Sequence, residues 1–251
     1  MTTRSVDKAT TILKQFSTAE PQLGVSELAR RLDLTKSTVH RLLRSLLKAG
    51  MVAQDPANRR YMLGRETVQL GYTAIYSDPL LYAALPYLHY LAQQVGESTY
   101  LAERRGLHGA PVLQVLSPIM QEQMGWYTNV RLHSTSSGKV LLAYAPEDVW
   151  QAVLDAGLVR DTEYTITDPA ELRQEMERVR GQGYATCFEE GKLGLNTVAV
   201  PVKDSEGQVI AALAIAGPSY RLTRDQALAS VEKLRAISGE ITRKLESLRR
   251  G

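Results

Sequence analysis

The chain has 251 residues, enough for one large domain or two smaller ones. It is 44% hydrophobic and 23% charged, which excludes disorder as a whole and allows a buried core. The net charge of +3 hides an asymmetry, because residues 1–64 hold 11 Lys/Arg against 5 Asp/Glu and residues 65–251 hold 19 against 22.

A basic small piece joined to a slightly acidic larger one points to a nucleic-acid reader attached to a second function. Residues 5–17 predict a helix with Val6, Ala9, Ile12, Leu13 and Phe16 facing inward. Pro21 and Gly24 break the pattern, and Ser26 then reads as the cap of a short helix with Leu28, Ala29 and Leu32 inside. Asp33 and Leu34 make a tight connection into residues 35–50, TKSTVHRLLRSLLKAG. There Val39, Leu42, Leu43, Leu46 and Leu47 fall on one helical face. Lys36, Ser37, Thr38, His40, Arg41, Arg44 and Lys48 fall on the other, without an acid. Thr35 is placed to cap the helix and Gly50 to end it in a left-handed conformation. The dry back and the basic, hydrogen-bonding front suit a DNA major groove. A short helix, a turn and a basic second helix are the layout of a helix-turn-helix.

Residues 51–54 and 59–63 then read as two strands around the turn 55–58, the wing of a winged helix. Arg59 and Arg60 lie next to that turn, within reach of phosphate or minor groove. Residues 65–77 read as a connecting helix and 78–96 as a longer one, with Leu81, Leu85, Leu88, Leu91, Ala92 and Val95 inward and Pro86 as a kink. Strands are expected at 97–103, 112–116, 184–188, 197–202 and 209–216, and helices at 137–145, 147–156, 169–182 and 223–248. Helices mixed with hairpin-paired strands imply an α+β fold, a mainly antiparallel sheet covered by helices.

Three stretches together carry a family resemblance: VSELARRLDLTKSTVHRLLRSLLKAGMV, LHSTSSGKVLLA and VAVPVKDSEGQVIAALAIAGPSYRLT. In this order and spacing they resemble the IclR family of bacterial transcriptional regulators over roughly residues 5–249. The resemblance implies a winged helix-turn-helix DNA-binding domain over 1–64, a linker helix over 65–77, and a GAF-like effector-binding and oligomerisation domain over 78–251. It also implies homodimers that often pair into tetramers. It implies double-stranded operator DNA and a small-molecule effector as partners, and repression more often than activation. By the same resemblance the effector pocket falls at Ser136, Ser137 and Gly138, at Cys187, at Leu195 and Thr197, and at Ala214 and Ala216. Several relatives have more polar side chains at these positions, so the resemblance tilts toward a bulkier, partly apolar organic acid or aromatic compound.

The residues themselves leave alternatives. Hydroxyls and a glycine at the start of the helix near Ser136 form either an anion site or a simple N-cap. Met124 and Trp126 either wall an apolar pocket or pack in the core. The DNA-binding set is Ser26, Thr35, Lys36, Ser37, Thr38, His40, Arg41, Arg44, Arg59 and Arg60.

Cys187 is the only cysteine, so no intrachain disulfide forms and a reducing compartment fits. No Cys-His signature, metal-ligand spacing or cofactor motif stands in the sequence, so neither cofactor nor metal is expected. Glu189 and Glu190, read as strand neighbours, would face opposite sides and make a poor catalytic pair. The rival to a regulator is an enzyme acting on a small metabolite with an appended DNA-binding domain. No secretion signal and no membrane span are read, so a cytoplasmic place is expected.

Overall fold

The computed structural model of the protein describes residues 4–17, 19–119 and 130–249. The chain divides into two compact units between Ser77 and Asp78.

The first unit begins with α1 (Arg4–Leu13), α2 (Val25–Arg31) and α3 (Lys36–Lys48). Ile12, Leu23, Leu28, Val39 and Leu43 are fully buried at their junction, and each such side chain contributes about 1.5–3 kcal/mol relative to exposure. Two inward assignments fail: Val6 and Leu47 are exposed. Residues 4–8 lie exposed on every side, so the first turn of α1 has nothing to pack on. Gly24, not Ser26, caps α2, which starts two residues earlier than expected. Leu23 explains the shift, because it pairs with Tyr61 through two N–H···O bonds of 2.9 Å and fixes where the chain leaves extended conformation. Asp33 takes a left-handed φ of 51° in the turn, a conformation Asp tolerates. Thr35 caps α3 by accepting from the Thr38 amide at 3.3 Å.

The wing pairs β1 (Val52–Gln54) with β2 (Tyr61–Leu63), Val52 opposite Leu63. A Cβ on Gly64 would sit 2.0 Å from the Gly50 carbonyl oxygen, so the corner after β2 admits only glycine. The helix α4 (Arg65–Ser77) follows, and it buries no side chain.

The second unit starts with α5 (Pro79–Val95), capped by Asp78, whose Oδ1 accepts from the Leu80 and Leu81 amides. Its buried stripe is Leu80, Ala83, Ala84, Leu88 and Leu91; Leu81 and Leu85 are only half-buried, a rotation of the expected face. Next come β3 (Ser98–Arg105), β4 (His108–Val115) and β5 (Val130–Arg131). β4 begins earlier than expected because Pro111 is accommodated where the register shifts between Leu101 and Ala102. β5 had no sequence signal. Three helices follow, α6 (Ser136–Ala143), α7 (Glu147–Asp155) and α8 (Pro169–Gln182). The strands β6 (Ala185–Phe188), β7 (Leu195–Lys203) and β8 (Val209–Pro218) complete one antiparallel sheet of order β5-β4-β3-β8-β7-β6.

The C-terminal helix is two helices, α9 (Arg224–Ala229) and α10 (Val231–Arg249), because Ser230 closes the first. Along α10 Val231, Leu234, Ile237, Ile241 and Leu245 are buried and form its inward stripe, with Leu248 half-buried. α5 and α10 cover one face of the sheet and α6 the other. Among the described residues no helix is long and apolar enough to cross a membrane.

Candidate functional site

The first candidate site is the front of α3. Lys36, Ser37, His40, Arg41 and Arg44 project from it and, with Val25 and Ser26, line an open groove of about 590 Å³. All of these except Val25 are exposed. Among the described residues no ion pair engages Lys36, Arg41 or Arg44, so their charge is available to phosphate. Thr35, exposed, and Thr38, half-buried, are engaged with the helix start: the Thr35 hydroxyl meets those of Thr38 at 2.8 Å and Ser37 at 3.0 Å. They shape the helix start before they can offer anything to DNA.

The wing divides its two arginines. Arg59 is exposed, with a left-handed φ of 59°. Arg60 is tied back, donating to the Gln22 carbonyl at 2.8 Å and pairing with Glu27 at 3.0 Å. Arg60 is thereby less available to phosphate than Arg59, because it holds the wing to Gln22 and Glu27. Arg59→Ala should flatten the salt dependence of DNA binding by roughly one log–log unit for one lost phosphate contact, and Arg60→Ala by less. Anisotropy titrations over a salt series would check this; equal slopes in both variants would contradict it.

Arg41 sits in the N-terminal half of α3, where a recognition helix meets base edges. Arg41→Ala should weaken operator binding by about 1–3 kcal/mol and random DNA by much less. Competition binding would measure both, and equal losses would make Arg41 a phosphate contact.

The second candidate site lies between α6 and the sheet. Strand register assembles it. Cys187 is opposite Thr197, Thr197 opposite Ala216, and Ala216 opposite Ser98, one row across four strands. Ala185, Ala199, Ala214 and Tyr100 form the next row on the same face. Alanines there leave depth for α6, whose eight residues are all buried. The Ser136 amide donates to Thr197 Oγ1 at 3.4 Å, and Ser137 Oγ meets the Tyr100 hydroxyl at 3.3 Å. Ser136 Oγ is buried without a hydrogen-bond partner. Such a group costs about 1–3 kcal/mol and calls for a ligand or water.

The helix start is partly a plain N-cap. Thr135 Oγ1 accepts from the Gly138 amide at 3.1 Å, so that N–H is taken. Gly138 itself is a packing residue: a Cβ there would lie 2.4 Å from the Arg131 carbonyl oxygen. Leu195 is half-buried, opposite Pro218. Cys187 is buried, donates to the Ser134 carbonyl at 3.1 Å, and has its thiol pushed up to about 11 by burial. A neutral thiol is no nucleophile. Met124 and Trp126 lie outside the described residues.

A buried charge cluster beneath the helix start was not foreseen. Lys139 Nζ contacts Glu190 Oε1 at 2.6 Å, Glu175 Oε1 at 3.3 Å and the Thr186 carbonyl at 3.2 Å. Glu189 and Glu190 follow β6 rather than lie in it, and Glu189 has a φ of 60°. That turn aims Glu190 at Lys139, a placement strand alternation misses. Burial raises the Glu190 carboxyl above the usual carboxylate range, against the pull of Lys139. Among the described residues no three His, Cys, Asp or Glu are grouped to hold a metal.

A winged helix with an uncommitted basic front, on a chain that also holds a helix-covered antiparallel sheet, is the layout of a DNA-binding regulator. Residues 5–56 match the IclR helix-turn-helix domain, and residues 72–243 match the C-terminal domain of the bacterial transcriptional regulator IclR. The chain belongs to the IclR family of transcriptional regulators. It is 33% identical over 248 residues to a glycerol operon regulatory protein of Streptomyces griseus, covering 96% of each chain. It is 31% identical over 241 residues to the HTH-type transcriptional repressor AllR of Salmonella typhi, covering 95% of this chain and 89% of that one. An IclR homolog from Microbacterium hydrocarbonoxydans, solved in complex with 4-hydroxybenzoate, superposes with a TM-score of 0.80 at 26% identity, covering 97% and 99% of the two chains. The protein is a DNA-binding transcriptional regulator of this family.

Proposed function

We propose that the protein is a cytoplasmic, operator-specific repressor that responds to a small organic acid or aromatic metabolite. In this reading residues 1–64 read DNA, 65–77 link, and 78–251 form a GAF-like effector-binding and oligomerisation domain. Lys36, Ser37, His40, Arg41 and Arg44 meet the operator, with Ser26 at the groove edge, Thr35 and Thr38 shaping the helix start, and Arg59 on the wing. Ser136, Ser137 and the start of α6 hold the effector's polar end. Cys187, Leu195, Thr197, Ala214 and Ala216 surround its body, with Met124 and Trp126, apolar side chains just before the Ser136 motif in the sequence, as further walls.

The observation that carries the effector site is Ser136 Oγ, buried and unpartnered beside an alanine-lined sheet face. That the Microbacterium homolog was solved with 4-hydroxybenzoate supports the aromatic class. A thermal-shift screen of carboxylic and aromatic metabolites identifies the effector, since a ligand that binds only the folded state raises its stability. Calorimetry of the hit with and without operator then tests the switch. Operator must change effector affinity by the same factor by which effector changes operator affinity. No mutual change would sink the regulatory reading.

The active species is a homodimer or a dimer of dimers. α3 spans about 20 Å at roughly 1.5 Å per residue, so one copy reads few base pairs. α4 offers the partner surface: it buries nothing and exposes Val68, Leu70, Tyr72 and Tyr76. Sedimentation at micromolar concentration tests this, and a monomer that still binds one operator tightly would contradict it.

A further inference from the structure

We infer that Tyr100 is a specificity-determining residue of the effector site and that the site takes ligands with no more than one negative charge. The inference rests on the proposed effector site and adds a residue and a charge rule to it.

Tyr100 comes from β3, three strands away from Cys187, and the register sets it beside Ala214 on the face that α6 covers. Its hydroxyl meets Ser137 Oγ, and Ser136 Oγ next to it in the chain is buried and unpartnered. The polar end of the site is therefore built from hydroxyls, which donate and accept without charge. They can hold a carboxylate or a phenol, and the start of α6 favours one anion.

A second negative charge would need a buried cation, and among the described residues of this face none is uncommitted; Lys192, in the loop between β6 and β7, is unpaired but exposed to solvent. The two cations of residues 130–143 are already neutralised, Arg131 by Asp161 at 2.6 Å and Lys139 by Glu190 and Glu175. The sequence supplies no Lys or Arg over residues 106–130, 181–191, 193–202 or 204–220. Those stretches include all of β4, β6 and β8 and all of β7 except Lys203. The cations of β3 are Arg104 and Arg105, at its hairpin end, away from Tyr100. A buried second charge would stay uncompensated, which costs far more than a missing hydrogen bond.

The probes are benzoate, benzamide, 4-nitrobenzoate and terephthalate, titrated calorimetrically into the full-length protein. 4-Nitrobenzoate and terephthalate share a shape and differ in charge. The expected result is that 4-nitrobenzoate binds at least about tenfold more tightly than terephthalate. Tyr100→Phe should lower benzoate affinity by about tenfold and benzamide affinity less, changing their ratio. The ratio separates a ligand contact from a packing role, in which both affinities would fall together. Terephthalate binding as tightly as 4-nitrobenzoate, and abolished by Ala216→Phe, overturns the charge rule and leaves the site in place. 4-Nitrobenzoate binding that Ala216→Phe does not affect overturns the site as well. An unchanged ratio in Tyr100→Phe, or no binding of either benzoate, overturns the inference.

Discussion

Lys139→Met should destabilise the C-terminal unit by about 3–5 kcal/mol, the loss expected when one partner of a buried ion cluster is removed. The side chain of Lys139 is 2% exposed and those of Glu175 and Glu190 are 8% and 11% exposed. Methionine keeps the volume, so the loss reports charge rather than a cavity. Glu175 retains Arg178 at 2.7 Å, so Glu190 is the group left stranded. At roughly 2–4 °C per kcal/mol for a unit of this size, the melting temperature should fall by about 6–20 °C. The pH dependence gives a second signature. Burial raises the Glu190 carboxyl, and removing Lys139 removes the group that opposed this. The folded variant then binds a proton at a pH where its unfolded chain does not, so it should regain stability as pH falls through the folded Glu190 pKa toward the usual carboxylate range. Adding Glu190→Gln should recover much of the loss at neutral pH. Denaturant midpoints at equal m-value would compare wild type with both variants; a Lys139→Met midpoint matching wild type would refute the cluster's role.

Ala216→Phe should abolish effector binding. Ala216 is 7% exposed, between Thr197 and Ser98 in the row beneath the start of α6. Phenylalanine there would project into the space proposed for the ligand's apolar body. The reading helix α3 belongs to the other compact unit, so operator affinity without effector should stay within a factor of a few of wild type. What disappears is the response, because a ligand shifts DNA affinity only through its preference between two protein states. Calorimetry for the effector and anisotropy for the operator would be run in parallel. Wild-type effector affinity in Ala216→Phe would move the pocket elsewhere in the domain.

The DNA-reading half was legible in the sequence because its signals are local. The stripe from Val39 to Leu46 and the Thr35 cap lie within one helix. The start of α2 was misread because it depends on Leu23 pairing with Tyr61, 38 positions away. The partners of Arg60, Gln22 and Glu27, were hidden for the same reason. In the C-terminal unit the elements were visible and their faces less so. Leu80 replaces Leu81 in the buried stripe of α5 because sheet and α10 together set the angle of that helix. The row Cys187, Thr197, Ala216, Ser98 exists only once four strands are in register, and periodicity carries no register between distant strands. Family resemblance reached most of that row; Tyr100 and the Lys139 cluster needed the fold.

The helix α4 has a further consequence. It is 13 residues long, contains Gly71 and buries no side chain. An isolated helix shorter than about 12–15 residues is marginal in water, and most helical stability comes from packing. The fold of one copy therefore gives α4 little of what keeps a helix formed. Its order must be borrowed, so the connection between reader and sensor should firm up only as copies associate. Amide hydrogens in α4 should then exchange more slowly as protein concentration rises, while those of α6, enclosed within their own domain, should not respond to dilution at all.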